Sequence, residues 1–207
     1  MIYIIKAGKK QSTRFYPRLS KGYSIFFKFK IGPSFLFPTP NVIRYWDRLF
    51  GVTLFSKAPI PWVDRINCDL MICKIDGSIM AAMMVGTNKD KDGIIKRMCT
   101  IDLNIMHYAQ ISHFKGADEQ YYFLLELFPE NSLNGCSCKV PSTEFFPTMF
   151  TRGPEIRGKS TLDHDIDFDI SLISNKEIDL EVYKRKGILR LIEQKKEFYE
   201  PVCLSRN

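Results

Sequence analysis

The 207-residue chain contains no apolar stretch long enough to cross a bilayer as a helix, for which about 18 or more uncharged apolar residues are needed. Met1–Gly8 has too short an apolar run for a signal peptide and no small-residue cleavage site. The expected setting is therefore cytoplasmic or a virion. No C-x-x-C occurs among the six cysteines at 68, 73, 99, 136, 138 and 203. The tight pair Cys136/Cys138 is a poor zinc knuckle, because close ligands normally need two residues between them to reach one tetrahedral ion. All six are expected as reduced thiols. Only three histidines are present, and His107 and His113 do not form an H-x-x-x-H pair. No G-x-S-x-G, phosphate-binding loop or G-x-G-x-x-G is found. Internal repeats and low-complexity tracts are absent as well. Nothing here argues strongly for an enzyme.

Acid is scarce at one end only. Residues 1–60 carry eleven Lys and Arg against a single acid, Asp47, whereas the remainder holds 19 bases and 22 acids. A basic segment of this kind attracts polyanions such as nucleic acid, anionic lipid or acidic glycan. Lys6, Lys9, Lys10, Arg14, Arg18 and Lys21 are its candidate binding residues. They can equally dock on an acidic subunit or simply solvate a face. The interleaved Phe15, Tyr16, Tyr23, Phe26, Phe27 and Phe29 would suit base stacking, although alternate Phe and Ile also make a sandwich core.

Most of the chain repeats with period two. Met1–Lys6 is β-prone, and Tyr23–Lys30 puts Tyr23, Ile25, Phe27 and Phe29 on one face of a strand. Asn41–Phe50 can open on an asparagine cap and run as a short helix to Gly51. Asp69–Ile75 and Ser78–Val85 flank Asp76-Gly77, a strong hairpin signal. Ile94–Leu103 and Gln120–Phe128 are further strands, and 131–159 reads as loop. Asp165–Ile173 alternates again. Short strands with Gly, Pro and Asx turns, and no helical crossovers, point to an antiparallel β-sandwich over residues 1–173. From Ser174 the character changes. A capping-box pattern leads into a Glu/Lys/Leu-rich stretch in which Ile188, Leu191 and Ile192 share a helical stripe. Residues 174–207 are expected as a helical tail whose stripe contacts a protein partner or a second copy.

The sharpest constellation is Asp165, Asp167 and Asp169. Alternate strand residues lie about 6.6–7 Å apart and project to the same side, so the carboxylates can converge on Ca²⁺, the one cofactor candidate. They can also supply a glycosidase nucleophile and acid, for which a separation of about 5–5.5 Å suits a retaining reaction. The plainer alternative is edge protection, because Asp on an edge strand discourages pairing with another chain. The row resembles the acidic triplet of laminarinase-type β-jelly-roll glycosidases, whose motifs begin and end with Glu where this one is Asp throughout. Trp46 and Trp62 are either sugar platforms or core anchors.

Tyr3-Ile4-Ile5-Lys6-Ala7-Gly8, Trp46-Asp47-Arg48-Leu49-Phe50-Gly51, and Phe146-Pro147 followed by His164-Asp165-Ile166 together resemble a group of small, largely uncharacterised β-sandwich proteins of bacteria and their tailed phages. The chain departs from that group at Thr151-Arg152-Gly153-Pro154, where the group has a run of glycines. The resemblance implies a jelly-roll-like sandwich and a phage setting, with no activity and no catalytic residue. The resulting expectation is a non-enzymatic structural or interaction module of a multi-subunit assembly, a virion component for example. The alternatives are a carbohydrate-binding or carbohydrate-cleaving jelly roll built on the aspartate row, and polyanion binding by the basic third.

Overall fold

The computed structural model describes residues 2–11, 18–36, 46–56, 65–75, 77–87, 93–130, 135–156 and 164–173. The expected helical tail with Ile188, Leu191 and Ile192, together with Arg14 and Trp62, lies outside them.

Among the described residues twelve strands form two six-stranded antiparallel sheets. The first holds β1 (Ile2–Ile5), β12 (Ile166–Ile173), β3 (Ser24–Ile31), β8 (His107–Lys115), β9 (Tyr121–Pro129) and β10 (Cys136–Ser142), in that spatial order. The second holds β2 (Leu19–Lys21), β11 (Phe145–Arg152), β4 (Asp47–Ser56), β5 (Arg65–Ile75), β6 (Ser78–Thr87) and β7 (Ile94–Ile101). No α-helix occurs among the described residues; one 3₁₀ turn spans Pro33–Leu36.

The two sheets pack face to face because period-two alternation gives each an apolar inner side. From β3, Ile25, Phe27, Phe29 and Ile31 are buried; Phe50, Val52 and Leu54 of β4, and Cys68, Leu70 and Ile72 of β5, join the same core. Phe27 stacks on Phe50 across the sheets with ring centroids 4.1 Å apart. Tyr23, expected on the same face as Phe27, stands before β3 and is exposed. Strands β5 and β6 pair as a hairpin as expected, with Ile75 opposite Ser78 and Gly77 at φ +81°, a conformation only glycine adopts without strain.

Three expectations are corrected. The short helix over 41–50 is not formed across its described part: Asp47–Phe50 opens β4. A register shift between Arg48 and Phe50 lets the consecutive Leu49 and Phe50 both turn inward, and that apolar pair imitates helical spacing. The expected loop over 131–159 contains β10 and β11. Their prolines are tolerated because Pro141 sits on an edge strand, while Pro147 falls where the β11–β4 register shifts. The aspartate row does not protect an edge, since β12 lies between β1 and β3. Strand β8 escaped sequence reading altogether; seven consecutive residues from His107 to His113 are buried, so polarity does not alternate along it.

The cysteine expectation is corrected too. Cys99 of β7 and Cys136 of β10 are joined in a disulfide, whereas Cys68 and Cys138 are free thiols. The bond links the edge strands of opposite sheets and closes a 37-residue separation, which in the loop-entropy account is worth about 4 kcal/mol.

Both core histidines are structural. The His107 ring stacks on Phe29, with Nδ1 3.0 Å from the Ile105 carbonyl oxygen; His113 stacks on Tyr121, with Nε2 3.0 Å from the Thr143 carbonyl oxygen. Burial lowers both pKa values below the ordinary 6.5. Between the lowered folded pKa and 6.5 the unfolded chain binds more protons, so stability rises with pH through that window. The melting temperature should therefore fall as pH drops from 7 to 5, and His107→Phe should flatten that fall. An unchanged slope in the variant would remove His107 from the account.

Candidate functional site

The outer face of the first sheet carries the most organised polar chemistry among the described residues. Antiparallel register decides which side chains meet there. Lys28 lies opposite Tyr108, Phe26 opposite Gln110, and Ser24 opposite Ser112. On the next strand Tyr108, Gln110, Ser112 and Phe114 face Phe128, Glu126, Leu124 and Tyr122. On β10, Ser137 meets Glu126 and Lys139 meets Leu124.

The centre of this face is a shielded polar floor. Gln110 Nε2 donates to Ser112 Oγ at 2.9 Å and to Ser24 Oγ at 3.3 Å, and the two serine hydroxyls lie 2.9 Å apart. Ser112 is fully buried and Gln110 and Glu126 are nearly so. Buried polar groups that satisfy one another are held rigidly. At one end, Lys28 Nζ lies 5.7 Å from the Tyr108 ring centroid, and the Tyr108 hydroxyl donates to Glu130 Oε1 at 3.2 Å. At the other, Phe114 and Tyr122 sit with ring centroids 5.9 Å apart, and Lys139 Nζ stands 3.6 Å over Tyr122. The Tyr122 hydroxyl donates to Asp118, which holds that carboxyl below its usual range and raises the phenol. From Tyr108 to Phe114 the face runs about 20 Å along β8.

The arrangement therefore has an aromatic ring at each end, buried at Tyr108 and half-buried at Phe114 and Tyr122, a cation over each, and buried amide and hydroxyl groups between. Among the described residues Lys28 and Lys139 rest on rings and are not ion-paired. Rings with polar edges suit the apolar faces of sugars, and the ammonium groups suit carboxylates.

The aspartate row does not converge. Asp165 pairs with Lys6 at 2.6 Å and accepts from the Ala7 N–H at 2.9 Å, contacts that lower its pKa. Asp167 accepts from Ser34 Oγ at 2.5 Å. Asp169 lies on the outer face opposite Lys30 and Ile2. No group of three or more His, Cys, Asp or Glu side chains among the described residues is placed to hold a metal. His164, Ser34 and Asp167 have the residue types of a nucleophilic triad without its geometry. The Ser34 hydroxyl bonds Asp167, while His164 Nε2 lies 2.9 Å from the Ser34 carbonyl oxygen. Together these contacts tie the 3₁₀ turn to β12.

The described basic candidates gather at the β1/β2 side of the sandwich, away from β7 and β10. The Arg18 carbonyl accepts from the Thr151 N–H at the end of β11, and the Lys10 carbonyl from the Ile156 N–H beyond it. Lys9, Lys10 and Arg18 are exposed, and Lys6 is occupied by Asp165. Trp46 packs on Met71, Ala82 and Met84 outside the second sheet, an anchor in a small apolar cluster. Gln110, Ser112, Ser24, Tyr122 and Lys139 drew no attention in the sequence. No alternation of polarity marked them, because His107–His113 are buried on both faces of β8.

No protein-family model matches the chain, and no curated protein matches it in sequence. A solved structure does: the marine PL-14 alginate lyase from Aplysia kurodai, at 9% identity and a TM-score of 0.50, over 83% of this chain and 80% of that one. At that identity the likeness is one of fold, and it supports the two-sheet β-sandwich.

Proposed function

We propose that the protein binds an acidic polysaccharide along the outer face of its first sheet. The observation that carries this reading is the pair of lysines, Lys28 and Lys139, each set over an aromatic ring at either end of the Ser24–Ser112–Gln110 floor. A chain of linked uronates would offer ring faces to Tyr122 and Phe114, hydroxyls to the polar edges and carboxylates to the two ammonium groups. The fold-level likeness to an alginate lyase and the net charge of +7 support the same class of ligand. The expectation of an assembly component rested on the basic first third, on the resemblance to phage sandwich proteins and on the tail, and the tail lies outside the described residues.

The test is calorimetric titration with alginate, and with a neutral glucan as control, at low salt and at 0.5 M salt. Alginate should bind, weaken with salt and outcompete the glucan. Lys28→Ala and Lys139→Ala should each lose about tenfold or more, the usual value of a charge-assisted contact. Binding of neither polymer, or binding unaffected by both substitutions, rejects the proposal. Appearance of an unsaturated uronate product in the same mixture would make the module a lyase; binding without product would make it a non-enzymatic carbohydrate-binding sandwich.

A further inference from the structure

The Cys99–Cys136 disulfide lies at the side of the sandwich opposite the basic edge. Cys99 belongs to β7, the edge of the second sheet, and Cys136 to β10, the edge of the first. Their Cα atoms are 6.4 Å apart, and nearby Lys96 Nζ donates to the Lys139 carbonyl at 3.3 Å. Among the described residues strand β10 has a ladder to β9 alone. Side chains alternate along it, so Cys136 and Cys138 turn toward the core while Ser137 and Lys139 turn outward. The strand that the disulfide fastens on its inner side is thus the one that delivers Lys139 to Tyr122 and Phe114 on its outer side.

We infer that the Cys99–Cys136 disulfide is a redox lock on the ligand-binding face, holding β10 in place when formed and releasing it when reduced by a dithiol. The inference rests on the proposed polysaccharide site. One thiolate of the dithiol attacks a sulfur of the pair and displaces the other as a thiolate. The second thiol of the reductant then resolves the mixed disulfide. Two electrons and two protons end on Cys99 and Cys136 as thiols, and the reductant leaves as its own disulfide. With the staple gone, β10 is a single-sided edge strand. Cys138, a free inward thiol on the same strand, is spared, its burial keeping it protonated.

The experiment compares the full chain before and after dithiothreitol, reading backbone hydrogen exchange over 136–142 and affinity for alginate. Reduction should speed exchange in that segment, leave Ser24–Ile31 unchanged, and weaken alginate binding about tenfold through loss of the Lys139 contact. The Cys99→Ser/Cys136→Ser double variant should match the reduced protein in both readouts, and Cys138→Ser should match the oxidised one. If the double variant does not fold, reduced wild type gives both readings alone. Unchanged exchange over 136–142, or faster exchange with unchanged affinity, overturns the lock and leaves the binding face standing. Absence of alginate binding by the oxidised protein overturns both, because the lock then has no face to control.

Discussion

Arg152→Leu is expected to cost about 3–5 kcal/mol of stability, the usual effect of removing one partner of a buried ion pair. Asp69, on β5, is fully buried on the outer side of the second sheet. Arg152 Nη1 donates to both of its carboxylate oxygens, at 3.0 and 2.7 Å. The carboxylate lies directly across Gly51. A Cβ there would collide with Asp69 Oδ1 and come within 2.7 Å of the Cys68 carbonyl oxygen. The chain thus gives up a side chain on β4 to seat an acid on β5 that is anchored from β11. Beside it, Arg48 pairs with Glu155 at 2.6 Å and its Nε donates to the Gly153 carbonyl at 2.8 Å. The cluster ties three neighbouring strands. Urea unfolding measures the loss directly. Asp69→Asn/Arg152→Leu, which removes the buried charge as well, should recover most of it. An equal loss in both variants would assign the effect to packing.

Phe27→Ala should cost a similar amount, about 3–5 kcal/mol, from lost burial and the cavity left behind. Phe27 is 2% exposed, and its ring stacks on Phe50 of the facing sheet. It is therefore an inter-sheet contact as well as a strand residue. Phe27→Leu should lose less, because part of the volume is retained. A loss below about 1 kcal/mol for the alanine variant would be typical of a surface change and would contradict the packing of the two sheets described above.

Local patterns revealed the strands whose two faces differ. Ser24–Ile31 and Ile166–Ile173 alternate because one side meets the core and the other does not. The Asp76-Gly77 pair in the sequence announced the β5–β6 hairpin through turn chemistry alone. Strand β8 stayed hidden because both of its faces are shielded. Strands β10 and β11 stayed hidden because Pro141 and Pro147 look like loop residues until an edge position and a register shift accommodate them. The candidate site was less legible still. Ser24 and Ser112 are 88 residues apart in the chain, and only the β3–β8 register brings them together with Gln110. The aspartate row was plain to see, yet its members are drawn to Lys6, to Ser34 and to the Lys30 register position by elements distant in sequence. The cysteine pairing escaped for the same reason: it joins the edges of two different sheets.

The central claim is that the outer face of the first sheet is the ligand surface. Hydrogen exchange of the oxidised protein with and without saturating alginate tests it most directly. The account predicts slowed exchange in Ser24–Ile31, His107–Lys115, Tyr121–Pro129 and Cys136–Ser142, with Asp47–Ser56 and Arg65–Ile75 unchanged. Protection confined to the second sheet or to the basic residues around Lys9, Lys10 and Arg18, or no protection anywhere, would contradict it.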